Sequence, residues 1–197
     1  ADLGPETSKG WDIGFEQGFL QGRFKIGATY FELDTEDLIE YVPFPPPNPP
    51  WGMYQNVAGV TQRHGVELFA SAVLTPEVTV TTGYTYTDTE TEAGDRLARV
   101  PKHVFVASLD AQPFDKVSLN ITGRYLKDNL DTIFGVGLVP VDDHFLLSAK
   151  LGYEFTPGWT AYVRGENLLD EDYETVVGYN NPGLAVYGGF SFALPEN

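Results

Sequence analysis

Residues 117–126 constrain the fold more than any other stretch of this chain. Val117, Leu119, Ile121, Gly123 and Tyr125 fall on one parity, and Ser118, Asn120, Thr122, Arg124 and Leu126 on the other. Successive side chains of an extended strand point to opposite sides, so this decad predicts a strand with one apolar and one polar face. The same period recurs along the sequence. Phe145, Leu147, Ala149, Leu151, Tyr153 and Phe155 alternate with Leu146, Ser148, Lys150, Gly152 and Glu154. Val78, Val80, Thr82, Tyr84 and Tyr86 alternate with threonines and Gly83, and Phe24, Ile26, Ala28 and Tyr30 with Lys25, Gly27 and Thr29. Similar runs start near Trp11, Val66, Trp159 and Val186, and a weaker one lies at 103–110.

About nine strands are expected, most of roughly ten residues, where soluble strands average about five or six. Ten residues at about 3.3 Å each, tilted by about 45°, rise about 23 Å, close to the apolar band of a membrane barrel. The connections sort by length. Those at 20–22, 75–77, 112–116 and 156–158 are tight, and those at 43–57, 88–98, 127–143 and 171–184 are long. Strict alternation of short and long joins fits a barrel with turns on one side of a membrane and loops on the other. A soluble sandwich has no reason to sort its loops this way. The run Pro43-Phe44-Pro45-Pro46-Pro47-Asn48-Pro49-Pro50 predicts a stiff polyproline-type loop tip. Tyr84, Tyr86, Tyr125, Phe145, Tyr153, Phe155 and Trp159 fall near strand ends on the apolar parity, where an interfacial girdle would place them.

Composition narrows function. The chain has no Cys, which removes disulfides, thiolate zinc sites and thiol catalysis. A net charge of -16 disfavours contact with nucleic acid. No apolar run reaches the ~20 residues of a membrane helix. His144 follows Asp142 and Asp143 at a loop-to-strand junction and reads as a strand-start residue rather than a metal ligand. Asp88, Glu90, Glu92 and Asp95 share one loop, and Asp128, Asp131, Asp142 and Asp143 another. Without EF-hand spacing, these read as solvated acidic loops rather than calcium sites. No catalytic constellation, metal site or cofactor site is expected.

Several motifs then resemble one family. Glu166-Asn167-Leu168-Leu169-Asp170-Glu171-Asp172-Tyr173 follows a strand and precedes a loop. Leu3-Gly4-Pro5-Glu6-Thr7-Ser8 leads to Trp11 and Glu16, Gly65-Val66-Glu67-Leu68 opens a strand, and Arg99-Val100-Pro101-Lys102-His103 starts another. In this order they resemble the C-terminal barrel of TonB-dependent outer-membrane receptors. The segment Asp172-Tyr173-Glu174-Thr175-Val176-Val177-Gly178-Tyr179 is similar to the vitamin B12 receptor branch. The resemblance implies an all-β fold, an antiparallel transmembrane β-barrel segment of about nine strands from a 22-stranded barrel. At roughly 22 residues per strand and loop such a barrel needs nearly 500 residues, so residues 1–197 would be its C-terminal portion, with the plug domain and N-terminal strands absent. It implies no enzymatic activity, but transport of cobalamin or a ferric siderophore across the cell outer membrane of a Gram-negative bacterium. Partners would be that ligand, the TonB complex acting through the plug, and outer-membrane lipid.

Two sets of residues follow. Ligand contacts are expected from the loop tips at 41–54 and 173–181, with Tyr41, Trp51, Tyr54, Tyr173, Tyr179, Asn180 and Asn181 as aromatic and amide groups suited to a large flat chelate. Glu67, Arg124, Lys150, Glu154, Arg164 and Glu166 project from the polar parity and are expected to face the lumen and the plug. The alternative from another class is a complete outer-membrane barrel of eight to ten strands with a structural or adhesive role.

Overall fold

The structure is a computed structural model that describes residues 3–43 and 52–194. Nine long strands form one antiparallel sheet in sequence order: β1 (Thr7–Phe19), β2 (Phe24–Glu36), β5 (Val60–Thr75), β6 (Val78–Glu90), β7 (His103–Phe114), β8 (Val117–Lys127), β11 (His144–Thr156), β12 (Trp159–Glu166) and β15 (Ala185–Phe192). The remaining strands pair among themselves as three short hairpins: β3 (Ile39–Pro43) with β4 (Gly52–Asn56), β9 (Asn129–Ile133) with β10 (Gly137–Val141), and β13 (Glu174–Val176) with β14 (Tyr179–Asn180). No helix of the described residues is long and apolar enough to cross a membrane.

Register carries the sequence parity across the whole sheet. Asn120 faces Asp110 on one side and Lys150 on the other, and Lys150 faces Arg164, which faces Tyr187. Every polar run therefore lands on one face. On the opposite face Tyr84, Phe105, Tyr125 and Phe145 form a directly paired row across four strands. Near the other rim of that face Phe19 packs on Phe24 at 6.0 Å between centroids, and Trp159 on Phe192 at 4.8 Å.

A soluble monomer of this mass would expose about 9,200 Å². This chain exposes 13209 Å², and among the described residues only Leu126 and Val141 are buried hydrophobics. Trp11, Ile13, Phe15, Leu151, Val163, Val186 and Phe190 stand open instead. Apolar surface on that scale belongs against lipid, because dispersing it in water would have no compensating core.

The four tight connections lie at one end and the four long ones at the other, as the alternation of lengths predicts. The tight ones are Leu20–Gly22, with Gln21 at φ 59° and Gly22 at φ 85°, and the two-residue turns 76–77, 115–116 and 157–158. Three of the long connections, expected as loops throughout, contain the short hairpins. The polyproline tip and Trp51 lie outside the described residues, except that Pro43 ends β3 in register with Gly52. The nine-stranded sheet is open, with β1 and β15 as its edges. It is therefore not the closed barrel of eight to ten strands considered as the alternative.

Two glycines on the polar face make room for aromatic rings. The Phe69 ring lies directly over Gly27, and the Tyr162 hydroxyl comes within 2.7 Å of where a Cβ on Gly189 would sit. A side chain at either place would displace the ring that covers it.

Candidate functional site: the loop end of the sheet

The long connections are joined to one another by side chains. Gly4 and Asn56 hydrogen-bond reciprocally: the Gly4 N–H donates to Asn56 Oδ1 at 2.8 Å, and Asn56 Nδ2 donates to the Gly4 carbonyl at 3.1 Å. The Glu6 carboxylate accepts the Ile39 N–H at 2.6 Å. The Pro5-Glu6 segment thus braces the base of the β3–β4 hairpin. Glu92 in loop 91–102 accepts the Val60 N–H at 3.3 Å, tying that loop to the end of the first long connection.

The densest junction is Asp131 on β9. It is 1% exposed. Its Oδ1 accepts Arg99 Nε at 2.7 Å and the Thr132 N–H at 2.8 Å, and its Oδ2 accepts the Val177 N–H at 2.9 Å. One carboxylate on the third long connection thereby holds the second through Arg99 and the fourth through Val177. Burial works to raise the pKa of this carboxyl. The hydrogen bond from Arg99, the N–H groups of Val177 and Thr132, and the Arg99 charge outweigh burial and set it below the ordinary aspartate range.

Arg96, three residues earlier, is bound differently. Its Nη1 meets Asp128 Oδ1 at 2.8 Å and its Nη2 donates to the Asp128 carbonyl at 2.9 Å. Asp88 pairs with Lys102 at 3.1 Å, and Asp143 accepts the Asp128 N–H at 2.8 Å and the Tyr125 hydroxyl at 3.2 Å. Asp88, Asp128, Asp131 and Asp143 are thus held by neighbours, and the described residues include no acidic or histidine cluster suited to a metal ion.

The Glu166-to-Tyr173 motif has a local reason. Asn167 sits at φ 47°, a left-handed position that asparagine tolerates better than most residues. Its Oδ1 accepts the Glu171 N–H at 2.9 Å, and its Nδ2 donates to the carbonyls of Glu171 at 2.8 Å and Pro182 at 3.3 Å. Asp170 accepts the Leu184 N–H at 2.8 Å. The motif closes the base of the fourth long connection.

The expected ligand residues divide. Tyr41 and Tyr54 are cross-strand partners on the β3–β4 hairpin, with rings edge-on at 5.6 Å and both exposed. Tyr179, Asn180 and Asn181 line a cleft of about 360 Å³ together with Thr175, Val176 and Arg99. Tyr173 stands apart: its ring packs on the buried His144 at 4.8 Å, and its carbonyl accepts the Asn181 side-chain amide at 3.3 Å. In the sequence Arg99 stands out only as the start of a strand motif. Its place in the cleft depends on Asp131, 32 positions away, and nothing periodic links the two.

The six charged residues expected in the lumen share the polar face. Arg164 pairs with Glu166 at 3.2 Å and lies over the Tyr187 ring at 4.9 Å. Lys150 sits 4.5 Å from the Tyr162 ring centre, and Glu154 accepts the Gly158 N–H at 3.0 Å. Glu67 lies in register with Thr29 and Thr85, and Arg124 with Val106 and Leu146. Among the described residues neither makes an ion pair.

A family model described as TonB dependent receptor-like, beta-barrel, matches residues 1–168. The vitamin B12 transporter BtuB of Vibrio cholerae serotype O1 is 27% identical over 192 residues, which cover 94% of this chain and 29% of the transporter. The chain thus spans under a third of the length of that relative. Among solved structures, the pyoverdine outer membrane receptor FpvA of Pseudomonas aeruginosa PAO1 superposes with TM-score 0.74 at 20% identity, over 98% of this chain and 30% of the receptor. The siderophore receptor PirA of Acinetobacter baumannii gives 0.75 at 19%, over 97% and 32%. The copper transporter OprC gives 0.77 at 16%, over 97% and 32%. At these identities the superpositions speak to the fold.

Proposed function

The chain belongs to the TonB-dependent receptor-like β-barrel family, and on that premise we propose that it forms the C-terminal barrel part of a receptor importing a scarce chelate, cobalamin or a ferric siderophore. Its place is the outer membrane of a Gram-negative bacterium. The observation that carries the proposal is the two-faced sheet with every long connection at one end. A lipid-facing surface, a polar inner face and a laced group of loops are the parts a receptor needs to sit in a membrane and capture a solute above it.

In this reading the sheet is part of a 22-stranded barrel, and a plug domain of the longer receptor fills the lumen and answers to the TonB complex. Glu67, Arg124, Lys150, Glu154, Arg164 and Glu166 contact that plug. The Arg164–Glu166 pair is a contact that breaks and remakes as the plug moves. Tyr41, Tyr54, Tyr179, Asn180 and Asn181 touch the ligand, with Trp51 beside them in sequence, while Tyr173 supports the loop from beneath. The reading assigns no catalytic chemistry.

Uptake of labelled cyanocobalamin and of labelled ferripyoverdine by cells expressing the full-length receptor, with and without functional TonB, tests this. TonB-dependent accumulation of either probe supports the reading. Accumulation indifferent to TonB, or of neither probe, overturns it. Neutralising Arg164 and Glu166 together is expected to lower uptake and leave surface binding unchanged.

A further inference from the structure

The cleft at 175–181 has one charged residue in its lining, and that residue is Arg99. The Arg99 side chain is 57% exposed. It spends only Nε, on Asp131, and among the described residues Nη1 and Nη2 have no acceptor. A guanidinium offers two separate hydrogen-bonding edges, and here one is used and the other is open. The two other cations of loop 91–102 are occupied. Arg96 has both Nη atoms on Asp128, and Lys102 is held by Asp88. Lys127 lies in register with His103, on the outward parity.

The backbone is bent to make this arrangement. Arg99 sits at φ 61°, a left-handed conformation costing about 1–2 kcal/mol for a residue with a Cβ. Its N–H is held by the Leu130 carbonyl at 2.6 Å. Strain kept at one exposed residue by a buried partner is a frequent property of binding sites. The cleft volume suits one appendage of a large ligand rather than the whole of it.

Resting on the chelate-receptor reading, we propose that the Nη1–Nη2 edge of Arg99 is the anion anchor of this cleft, taking a carboxylate or phosphate oxygen pair that the chelate carries outside its metal-binding atoms. Asp131 is the positioning residue: it fixes the guanidinium plane and, through Val177, the hairpin that forms the other wall. In a chain of net charge -16 an open cation in the wall of this cleft gives such a ligand a defined point of attachment.

The test uses the full-length receptor in outer-membrane vesicles, with cyanocobalamin as the phosphate-bearing probe and ferripyoverdine as the carboxylate-bearing one. Dissociation constants are measured for the wild type, Arg99→Gln and Arg99→Lys at low and high salt, with heat-modifiable gel migration to report the folded barrel. Arg99→Gln is expected to weaken binding of the recognised probe roughly tenfold and to flatten its salt dependence. Arg99→Lys should recover part of both, since it keeps the charge and loses the fork. The probe affected tells which anion is read. If the wild type binds a probe and Arg99→Gln binds it equally well, or loses affinity with its salt dependence intact, the anchor is overturned and the receptor reading stands. If the wild type binds neither probe, the chelate reading fails and the anchor falls with it.

Discussion

The two ends of the sheet are joined by different means. At the turn end, neighbouring connections are linked by main-chain bonds: Val73 N–H to the Arg23 carbonyl, Gln112 to Glu77, Glu154 to Lys116 and Ala193 to Gly158, all between 2.7 and 2.9 Å. Among the described residues Arg23 is the one side chain that hydrogen-bonds across there, to the carbonyls of Val73 and Leu74. At the loop end, carboxylates, amides and guanidinium groups do most of the linking. A backbone ladder accepts almost any sequence compatible with the turn. A side-chain lattice can be undone one residue at a time, and it can be tuned in the same way.

The largest break in that contrast is expected from Asp131→Ala. It leaves the Arg99 cation and the N–H groups of Thr132 and Val177 without their acceptor, at a cost of about 3 kcal/mol to the loop assembly. Protease protection of loops 91–102 and 167–184 in vesicles should fall, while gel migration of the folded barrel stays unchanged. Loss of the folded barrel as well would mean the two ends are not independent.

Asn167→Ala comes next. It removes three hydrogen bonds from a buried amide at a left-handed backbone position, worth about 2 kcal/mol. Hydrogen exchange at Glu171 and Leu184 should accelerate, and protection of the β3–β4 hairpin should not.

Acid titrates the same contrast. The folded-state pKa of Asp131 lies below the unfolded value of about 3.9, so its contribution is present above that pH and fades as pH falls through the lower, folded value. Loop protection measured from pH 7 downward should hold through mild acid and drop only below about pH 4. A drop centred near pH 6 would place control elsewhere.

At the turn end Gly158→Ala is the sharpest single change available. Gly158 is at φ 79°, and a Cβ there would meet the Ala193 carbonyl at 2.5 Å. The expected loss is about 1 kcal/mol, read as a lower unfolding midpoint in urea with loop protection unaltered. Lys116→Gly removes the Cβ that strains a residue at φ 64° and should gain about 0.5 kcal/mol or less.

How far the sequence could be read follows from where water lies. Between the rims, one face meets lipid and the other the lumen, so parity is strict and runs such as 117–126 are plain. Beyond the rim both faces are wet and the alternation fades. That is why β5, expected from Val66, in fact starts at Val60 through Thr61, Gln62, Arg63 and His64, and why β2 and β6 continue to Glu36 and Glu90. The short hairpins were hidden for a related reason: the buried face of β9 is made of Asn129 and Asp131, and Glu174 to Val176 has no buried residue, so neither shows an apolar parity. The polar-face aromatics Phe69 and Tyr162 were visible by parity, but not their packing over Gly27 and Gly189, which depends on neighbouring strands. Of the ligand residues, exposed tips such as Tyr54 and Tyr179 could be chosen by type. Arg99 and Asp131 could not, because the contact between them is made across two loops and one of four aspartates had to be singled out.

The apolar face also contains a built-in depth gauge. Trp11 is near the loop-end rim of β1 and Trp159 at the opposite rim, on the first residue of β12, and both rings are about half exposed. One indole therefore samples the leaflet on the loop side and the other the leaflet on the turn side. Quenchers carried at known depth in one leaflet should dim one fluorophore and spare the other. Replacing Trp51 with phenylalanine would remove the third indole of the chain. With any indoles outside residues 1–197 also replaced, the emission of this pair would report, leaflet by leaflet, the asymmetry of the membrane that holds it.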